Sequence, residues 1–206
     1  MAVVKVNPIR KRKLIFTIRG TSPLVMHKWG EKSIEMMRQK HGGKKTKTRE
    51  IRNPEQEYKD AMHVTTHGEI GIPAGAFKAA LINAAHKDIG IEKTLVKKSV
   101  FVLCDDENQV MPLDIDERKV KMREDCVRVG QGSTDLRYRP EIPAGWLCQV
   151  ALEIDGELLQ DSDLLTLVDR AGFGVGLLEM RPEKGKDFGR FEVYINDEYP
   201  LHSEKL

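Results

Sequence analysis

Glycine and basic residues are concentrated between positions 171 and 190, in the stretch AGFGVGLLEMRPEKGKDFGR. Gly172, Gly174 and Gly176 occupy alternate positions, so a strand there would have one face without side chains, and a bulky ligand could approach its backbone. The basic residues that follow are suited to phosphate groups: Arg181, Lys184, Lys186 and Arg190. The pattern predicts a loop that binds a polyanion. A β-bulge and turn beside a solvated charged loop is the alternative.

A second group suited to phosphates and bases lies in the segment 118–142. Arginine makes bidentate contacts with phosphate, and stacking of a base on a tyrosine ring contributes about 1–3 kcal/mol. The residues expected to bind are Arg123, Arg128, Arg137, Tyr138 and Arg139. A hairpin with internal salt bridges, such as Arg123 with Asp125, explains the same residues. We favour binding, because residues 137–139 have no evident use in a core.

Two further basic features are expected to contact a nucleic-acid backbone. Residues 44–52 are mostly basic or threonine, which predicts a flexible basic loop that contributes Lys44, Lys45 and Lys47. Lys78 lies near the start of a predicted helix, where free backbone amides add to its attraction for phosphate. An ordinary solvated lysine is the alternative for Lys78.

The composition is that of a soluble globular chain. Of its 206 residues, 40% are hydrophobic and 32% are charged, and its apolar runs are too short to cross a bilayer. The three cysteines are far apart and odd in number, which favours reduced thiols in a cytoplasmic protein and no zinc site. Basic and acidic residues are segregated, which predicts an anion-binding face and complementary patches through which copies stack. We expect no metal, cofactor or membrane partner.

Hydrophobic periodicity predicts the elements that position these residues. Leu14, Phe16 and Ile18 alternate along a strand at 13–20, and Phe77 and Leu81 share one side of a helix that Gly90 ends. Further helices are predicted at 29–40, after an Asn53 cap, and at 163–171 with Asp161 or Ser162 as cap. Further strands are predicted at 99–104 and 109–113 as a hairpin, at 118–129, at 146–154 and at 191–195, followed by a frayed tail.

This order of elements predicts an α+β fold. It is compatible with a ferredoxin-like or RRM-like core, in which an antiparallel sheet has helices on one face and an open face for an elongated ligand. We expect one domain over residues 1–206. A basic loop and short helix would be inserted at about 38–70, and a charged hairpin or thumb at 118–142.

Three segments resemble the RAMP superfamily, the RRM-like proteins of CRISPR systems that bind guide RNA, and specifically the backbone subunits that polymerise along it. They are residues 21–24 (TSPL), residues 72–81 (IPAGAFKAAL) and the glycine-rich residues 171–190. The chain is also similar to a group of phage-borne proteins. That similarity lies in the stretches SPLVMH, MREDCVRVGQGSTDLRYRP and GFGVGLLEMRPEKGKDFGRFEV.

The resemblance implies a non-catalytic protein that binds single-stranded RNA or DNA without sequence preference. Copies of such a protein would assemble along the strand as a homo-oligomeric filament or ring. If the chain is phage-borne, it would act in the cytoplasm of a bacterial host. The choice between RNA and DNA stays open, because no residue identifies a contact with a 2′-hydroxyl.

Two alternatives accompany this prediction. Some RAMP relatives cleave RNA with a histidine near the first strand, which is the place of His27, or with a metal-bound aspartate on a loop, for which Asp125 and Asp135 are the candidates. The chain would then be an endoribonuclease. The other alternative is a phage structural or assembly protein, which would form filaments or rings without nucleic acid.

Overall fold

The computed structural model describes residues 6–43, 52–129 and 132–206. The strands are β1 (Lys11–Gly20), β2 (Leu24–Val25), β3 (Gly71–Pro73), β4 (Val100–Leu103), β5 (Val110–Asp114), β6 (Lys121–Val129), β7 (Ser133–Ile142), β8 (Leu147–Asp155), β9 (Phe191–Tyr194) and β10 (His202–Lys205). The helices are α1 (Glu31–His41), α2 (Pro54–Asp60), α3 (Ala74–Ala84), α4 (Lys93–Ser99) and α5 (Asp161–Arg170). Within these ranges, no helix has the length and apolar composition needed to span a membrane.

Strands β1 and β8 form the centre of the main sheet. They pair antiparallel from Lys11 opposite Asp155 to Arg19 opposite Leu147. On the other edge of β1, β10 pairs with the first half of the strand and β9 with the second half. On the other edge of β8, β4 pairs with the end of the strand and β5 with its start, and β3 pairs with β5. The core order β9–β1–β8–β4, with α3 before β4 and α5 before β9, is that of a ferredoxin-like fold. The predicted α+β fold class is confirmed.

The alternation of side chains along β1 and β8 builds the core. Leu14, Phe16 and Ile18 point to one face of β1, and at most 1% of each is exposed, as the sequence predicts. Helices α3 and α5 cover this face with Phe77, Leu81, Leu164, Leu167 and Val168. On the opposite face, β1 carries basic side chains that pair with glutamates: Lys11 with Glu153, Lys13 with Glu204 and Arg19 with Glu192. The basic groups that β1 presents on the open face therefore already have carboxylate partners.

The insertion between β5 and β8 forms a separate three-stranded sheet together with β2. Strands β6 and β7 pair along their length as a hairpin, and β2 pairs with the base of β7. Helix α2 lies beside β7, where Arg52 bridges Glu57 of α2 and Asp135 of β7. These contacts attach the hairpin to the main body at β2 and α2.

Some elements differ from the sequence prediction. Strands β4 and β5 do not form a hairpin with each other, because they pair with successive parts of the same β8 edge. Helix α3 ends at Ala84, and Gly90, with a φ of 81°, ends a short 3-10 turn instead. Helix α5 begins at Asp161 and has Gln160 as its cap. The tail after Asn196 is not simply frayed, because its last residues form β10 on the first half of β1.

The basic start of β1 and the acidic segment after β8 meet within one chain. Arg10 binds Glu157 at 2.5 Å, and Arg12 binds Asp161 at 2.5 Å. The antiparallel pairing of β1 with β8 causes this, because it brings the start of one strand to the end of the other. These charges therefore have intramolecular partners, whereas the sequence suggests a role for them in stacking between copies.

Candidate nucleic-acid interface

The glycine-rich segment begins as a helical turn. Helix α5 continues through the π-helical turn Ala171–Val175. A Cβ atom at Gly172 would overlap the carbonyl oxygen of Phe191 at the start of β9, so glycine allows the turn to pack closely on the strand. At Gly176 φ is 73°, and a Cβ atom would lie 2.6 Å from Cδ of Pro182. The expectation of a strand with one bare face is therefore wrong, because two of these glycines serve internal packing.

Gly174 differs from its two neighbours in the motif. Apart from its chain neighbours and the backbone of its own turn, no heavy atom lies within 4 Å of its Cβ position, and the residue is exposed. Its backbone is therefore open to a ligand, as the sequence predicts for the whole motif. Phe173, between Gly172 and Gly174, is 72% exposed.

The rest of the segment is hydrogen-bonded to the connection between β1 and β2. The Gly189 amide donates to the Pro23 carbonyl at 2.7 Å, and the Arg190 amide donates to Ser22 Oγ at 2.9 Å. The Glu179 amide donates to the Val25 carbonyl at 3.0 Å. The TSPL motif and the glycine-rich segment, 150 residues apart in the chain, are therefore neighbours in the fold.

Two residues of this segment have strained backbones. Leu178 and Met180 have φ values of 59° and 57°, in the left-handed region, which costs a residue with a side chain about 1–2 kcal/mol. Such conformations persist where surrounding contacts fix them, and they are frequent at ligand sites. Here the Glu179 amide between them is fixed by its hydrogen bond to β2.

A cleft of about 170 Å³ separates helix α3 from the glycine-rich segment. The α3 side presents small residues and one amide: Ala76, Ala79, Ala80 and Asn83. The other side is formed by Val175, Gly176, Leu178, Glu179 and Arg181. The cleft therefore lies between the second and third segments of the sequence resemblance, while the first is bonded to one of its walls.

The basic residues of the segment differ in their availability. Arg181 binds Glu183 at 2.7 Å and the Leu178 carbonyl at 2.8 Å, so part of its charge is neutralised. Lys184 and Lys186 are exposed. Among the described residues, neither lysine has an ion-pair partner, and Arg190 has none either. These three side chains are the ones free to meet an anion.

Lys78 has partners inside the fold. Its ammonium donates to the Val96 carbonyl at 2.8 Å and to the Val100 carbonyl, at the end of α4, and lies 5.2 Å from the centre of the Phe101 ring. Burial lowers the pKa of this amine below its usual value. Its phosphate contact stays a prediction, and making it would require the ammonium to leave the carbonyls of α4.

Three of the hairpin arginines have carboxylate partners. Arg123 binds Asp125 at 2.7 Å and Glu141 at 2.8 Å, Arg137 binds Asp135 at 3.1 Å, and Arg139 is 3.6 Å from Asp125. Only 6% of Arg139 is exposed. The salt-bridged hairpin, the alternative interpretation of the sequence, is therefore the arrangement observed for these side chains.

The other expected binding residues are divided between the hairpin and the basic loop. Arg128 is exposed near the hairpin tip. Tyr138 is half-buried, with the guanidinium carbon of Arg52 5.8 Å from its ring centre. Lys44, Lys45 and Lys47 lie outside the described residues. The hairpin approaches the glycine-rich segment where the guanidinium carbon of Arg123 lies 4.8 Å from the centre of the Phe188 ring.

His27 lies where β2 meets the hairpin. Burial lowers its pKa below the usual value, and nearby Arg139 and Arg137 lower it further. Its Nδ1 atom is buried without a hydrogen-bond partner. Burial also lowers the pKa of His63 to about 4, with smaller contributions from Lys28 and His27.

Asp125, the other alternative catalytic residue, is held between Arg123 and Arg139. Among the described residues, no group of three or more histidine, cysteine, aspartate or glutamate side chains is placed to hold a metal ion. His27 and Asp125 are therefore an imidazole with a lowered pKa and a carboxylate with two arginine partners.

Phe173 is the residue of this region that the sequence pattern does not single out. An aromatic residue between two glycines after an amphipathic helix also fits a buried position, and only the fold shows that its ring is exposed. The guanidinium carbon of Arg190 lies 5.1 Å from the ring centre.

The chain matches no protein-family model, and no curated protein matches it in sequence. Two solved structures share part of its architecture. Cmr6 from Pyrococcus furiosus is 11% identical over 89% of this chain and 99% of its own, with a TM-score of 0.44. Csc2 from Thermofilum pendens is 9% identical over 95% of this chain and 67% of its own, with a TM-score of 0.34. Because both TM-scores are low, the description of the fold rests on the strand pairing given above and not on these two structures.

Proposed function

We propose that this chain binds single-stranded nucleic acid at the cleft between α3 and the glycine-rich segment, without sequence preference and without cleaving it. One observation carries the proposal. Three segments distant in sequence, residues 21–24, 72–81 and 171–190, are adjacent in the fold, two as walls of one cleft and the third bonded to a wall.

The chemistry of the cleft supports this ligand. Alanines on α3 leave room in the cleft for an elongated chain, and Gly174, next to the lining residue Val175, has an open backbone. Three basic residues that have no ion-pair partner among the described residues belong to the same segment as one wall: Lys184, Lys186 and Arg190. Backbone contacts of this kind hold phosphates and carry no base information, which is the basis for binding without sequence preference.

The absence of cleavage is part of the proposal. Cleavage by His27 would require a second acid or base within hydrogen-bond reach. Its charged neighbours are Arg139, Arg137 and the carboxylate of Glu179, and Nδ1 of His27 makes no hydrogen bond to any of them. Asp125 is neutralised by Arg123 and Arg139. Incubation of labelled single-stranded RNA with the protein, with and without Mg²⁺, should leave the RNA intact. Defined products that disappear in His27→Ala or Asp125→Asn would establish the endoribonuclease instead.

The central test is the salt dependence of binding. We expect the affinity for a fluorescent mixed-sequence oligonucleotide, measured by anisotropy, to fall steeply between about 50 and about 200 mM salt. Lys184→Ala and Lys186→Ala should each reduce the slope of log K against log salt by about 0.7 for each phosphate that the variant no longer neutralises. Lys205→Ala on β10, at the opposite end of β1, is the matched control and should leave the slope unchanged. Affinity that stays flat with salt would refute the phosphate contacts.

We also propose that copies assemble along the bound strand. Electron micrographs of the protein with and without an oligonucleotide test this. Filaments or rings that appear with the oligonucleotide support the proposal. Particles that form without it, and whose ultraviolet absorbance shows no nucleic acid, would favour the structural or assembly protein.

A further inference from the structure

Phe173 has an unusual position for a phenylalanine. It lies at the centre of the turn Ala171–Val175, and 72% of it is exposed. The preceding residue, Gly172, packs closely on β9, where an added Cβ atom would overlap the Phe191 carbonyl oxygen. On its other side, Gly174 leaves open space. The ring is therefore held in solvent on a closely packed support.

The side chain of Arg190 lies beside the exposed Phe173 ring. Its guanidinium carbon lies 5.1 Å from the centre of the Phe173 ring, and its amide is bonded to Ser22 Oγ. The Nε atom is buried and has no hydrogen-bond partner, and within the described residues Arg190 forms no ion pair. A partly buried guanidinium without an anion is an incomplete arrangement, which an anionic ligand would complete.

The surroundings favour a nucleotide over a protein partner. A protein interface needs a contiguous apolar area, whereas Phe173 is the one large hydrophobic residue exposed in the glycine-rich segment 171–190, all of which the structure describes. An aromatic ring beside an arginine is instead the pair of groups that binds a base and its phosphate in single-strand binding proteins. Gly174 leaves the space next to the ring free of side chains.

We infer that Phe173 and Arg190 form a nucleotide site, in which a nucleobase stacks on the exposed face of Phe173 and an adjacent phosphate binds Arg190. This inference rests on the proposed function, and it adds a base contact to a mode of binding otherwise made through the nucleic-acid backbone. Stacking is tolerant of base identity because every base has a π-face, so the site agrees with binding that ignores sequence.

The test compares Phe173→Leu with Phe173→Trp on two probes of equal length. One probe is a mixed-sequence single-stranded oligonucleotide, and the other is an abasic strand with the same number of phosphates. Phe173→Leu should weaken binding of the first probe about five-fold or more, while Phe173→Trp should preserve it. Both variants should bind the abasic strand as the native protein does. Arg190→Ala should weaken the binding of both probes.

Phe101→Leu is the matched control. Phe101 is also exposed, at 51%, and also lies beside a cation, 5.2 Å from the Lys78 ammonium, but it belongs to β4. The affinity of the Phe101→Leu variant for both probes should stay within about two-fold of the native value. A 2-aminopurine base in the first probe gives an independent readout, because its fluorescence is quenched by stacking and should recover in Phe173→Leu.

The outcomes separate this inference from the proposed function. If the native protein binds neither probe, the proposed function fails, and the nucleotide site fails with it. If the native protein binds but Phe173→Leu binds the mixed-sequence probe equally well, the nucleotide site is refuted while the proposed function stands. If Phe173→Leu alters the oligomeric state and leaves affinity unchanged, the ring contacts another copy of the chain and the inference is overturned.

Discussion

Gly172→Ala and Gly174→Ala should change the free energy of unfolding in opposite directions, although the two positions are only two residues apart. At Gly172 the added Cβ would overlap the Phe191 carbonyl oxygen and lie 2.6 Å from its carbon. At Gly174 nothing lies within 4 Å of the added atom, and φ is outside the left-handed region. The first substitution therefore requires the turn and β9 to separate, and the second requires no movement.

The magnitudes follow from these contacts. Overpacking a closely packed site costs about 1–3 kcal/mol, and replacing glycine by alanine in a helical conformation returns about 0.5–1 kcal/mol. We therefore expect Gly172→Ala to lower the free energy of unfolding by about 1–2 kcal/mol, and Gly174→Ala to raise it by about 0.5–1 kcal/mol. For a chain of this size, 1 kcal/mol corresponds to about 2–4 °C in Tm.

Urea and thermal unfolding of the two variants, followed by circular dichroism, measure this difference. Gly174→Ala is the internal control for Gly172→Ala, because the chemical change is the same. Equal stability of the native protein and Gly172→Ala would refute the close packing of the turn on β9. Destabilisation by Gly174→Ala would show that the space beside that residue is filled.

A larger side chain at Gly174 separates folding from binding. Gly174→Trp should leave the Tm close to the native value, because the residue is exposed and its surroundings are empty. It should weaken binding of a single-stranded oligonucleotide, because the indole would occupy space proposed for the ligand. Unchanged affinity in a folded Gly174→Trp variant would exclude a ligand from this side of the turn.

Three other predictions concern the surroundings of the cleft. Lys78→Met should lower the Tm, because the carbonyls at the end of α4 lose a charged donor worth about 1.5–3 kcal/mol; an unchanged Tm with weaker oligonucleotide binding would favour the phosphate role instead. Native stability should fall as pH decreases from 6.5 toward 4, because His63, with its pKa lowered to about 4, binds fewer protons folded than unfolded. Urea titrations should show a smaller fall for His63→Gln than for the exposed control His67→Gln. Trp146→Phe should destabilise the protein, because the buried indole donates a 3.1 Å hydrogen bond to the Ser22 carbonyl in the connection between β1 and β2; an unchanged unfolding midpoint in urea would contradict this.

Periodicity was sufficient to predict the core of the fold. The alternation at Leu14, Phe16 and Ile18 and the stripe at Phe77 and Leu81 follow directly from burial on one face of a strand and of a helix. The pairing of β4 and β5 could not be predicted in the same way. Two neighbouring strands can pair with each other or with a third strand, and the local pattern is the same in both arrangements; in the fold, β4 and β5 both pair with β8.

The site was harder to predict than the fold because charge and glycine patterns are ambiguous. Arg123 and Arg139 have the composition of a phosphate site, but cross-strand register places Asp125 and Glu141 beside them. Gly172 lacks a side chain because of a carbonyl group 19 residues later in the chain, which no local pattern reveals. The contrast between Gly172 and Gly174 therefore appears only when the turn is packed on β9.

The pairing of β10 with the first half of β1 limits how copies of this chain can associate. An uncovered β1 would offer a row of free amides and carbonyls, which is a template for sheet extension and aggregation. Strand β10 covers this row and replaces it with a short outer edge of four exposed residues, among them Glu204 and Lys205. Short, charged edges resist further strand addition. We therefore expect neighbouring copies on a nucleic-acid strand to meet through side chains, and not by continuing the main sheet from one molecule to the next at this edge.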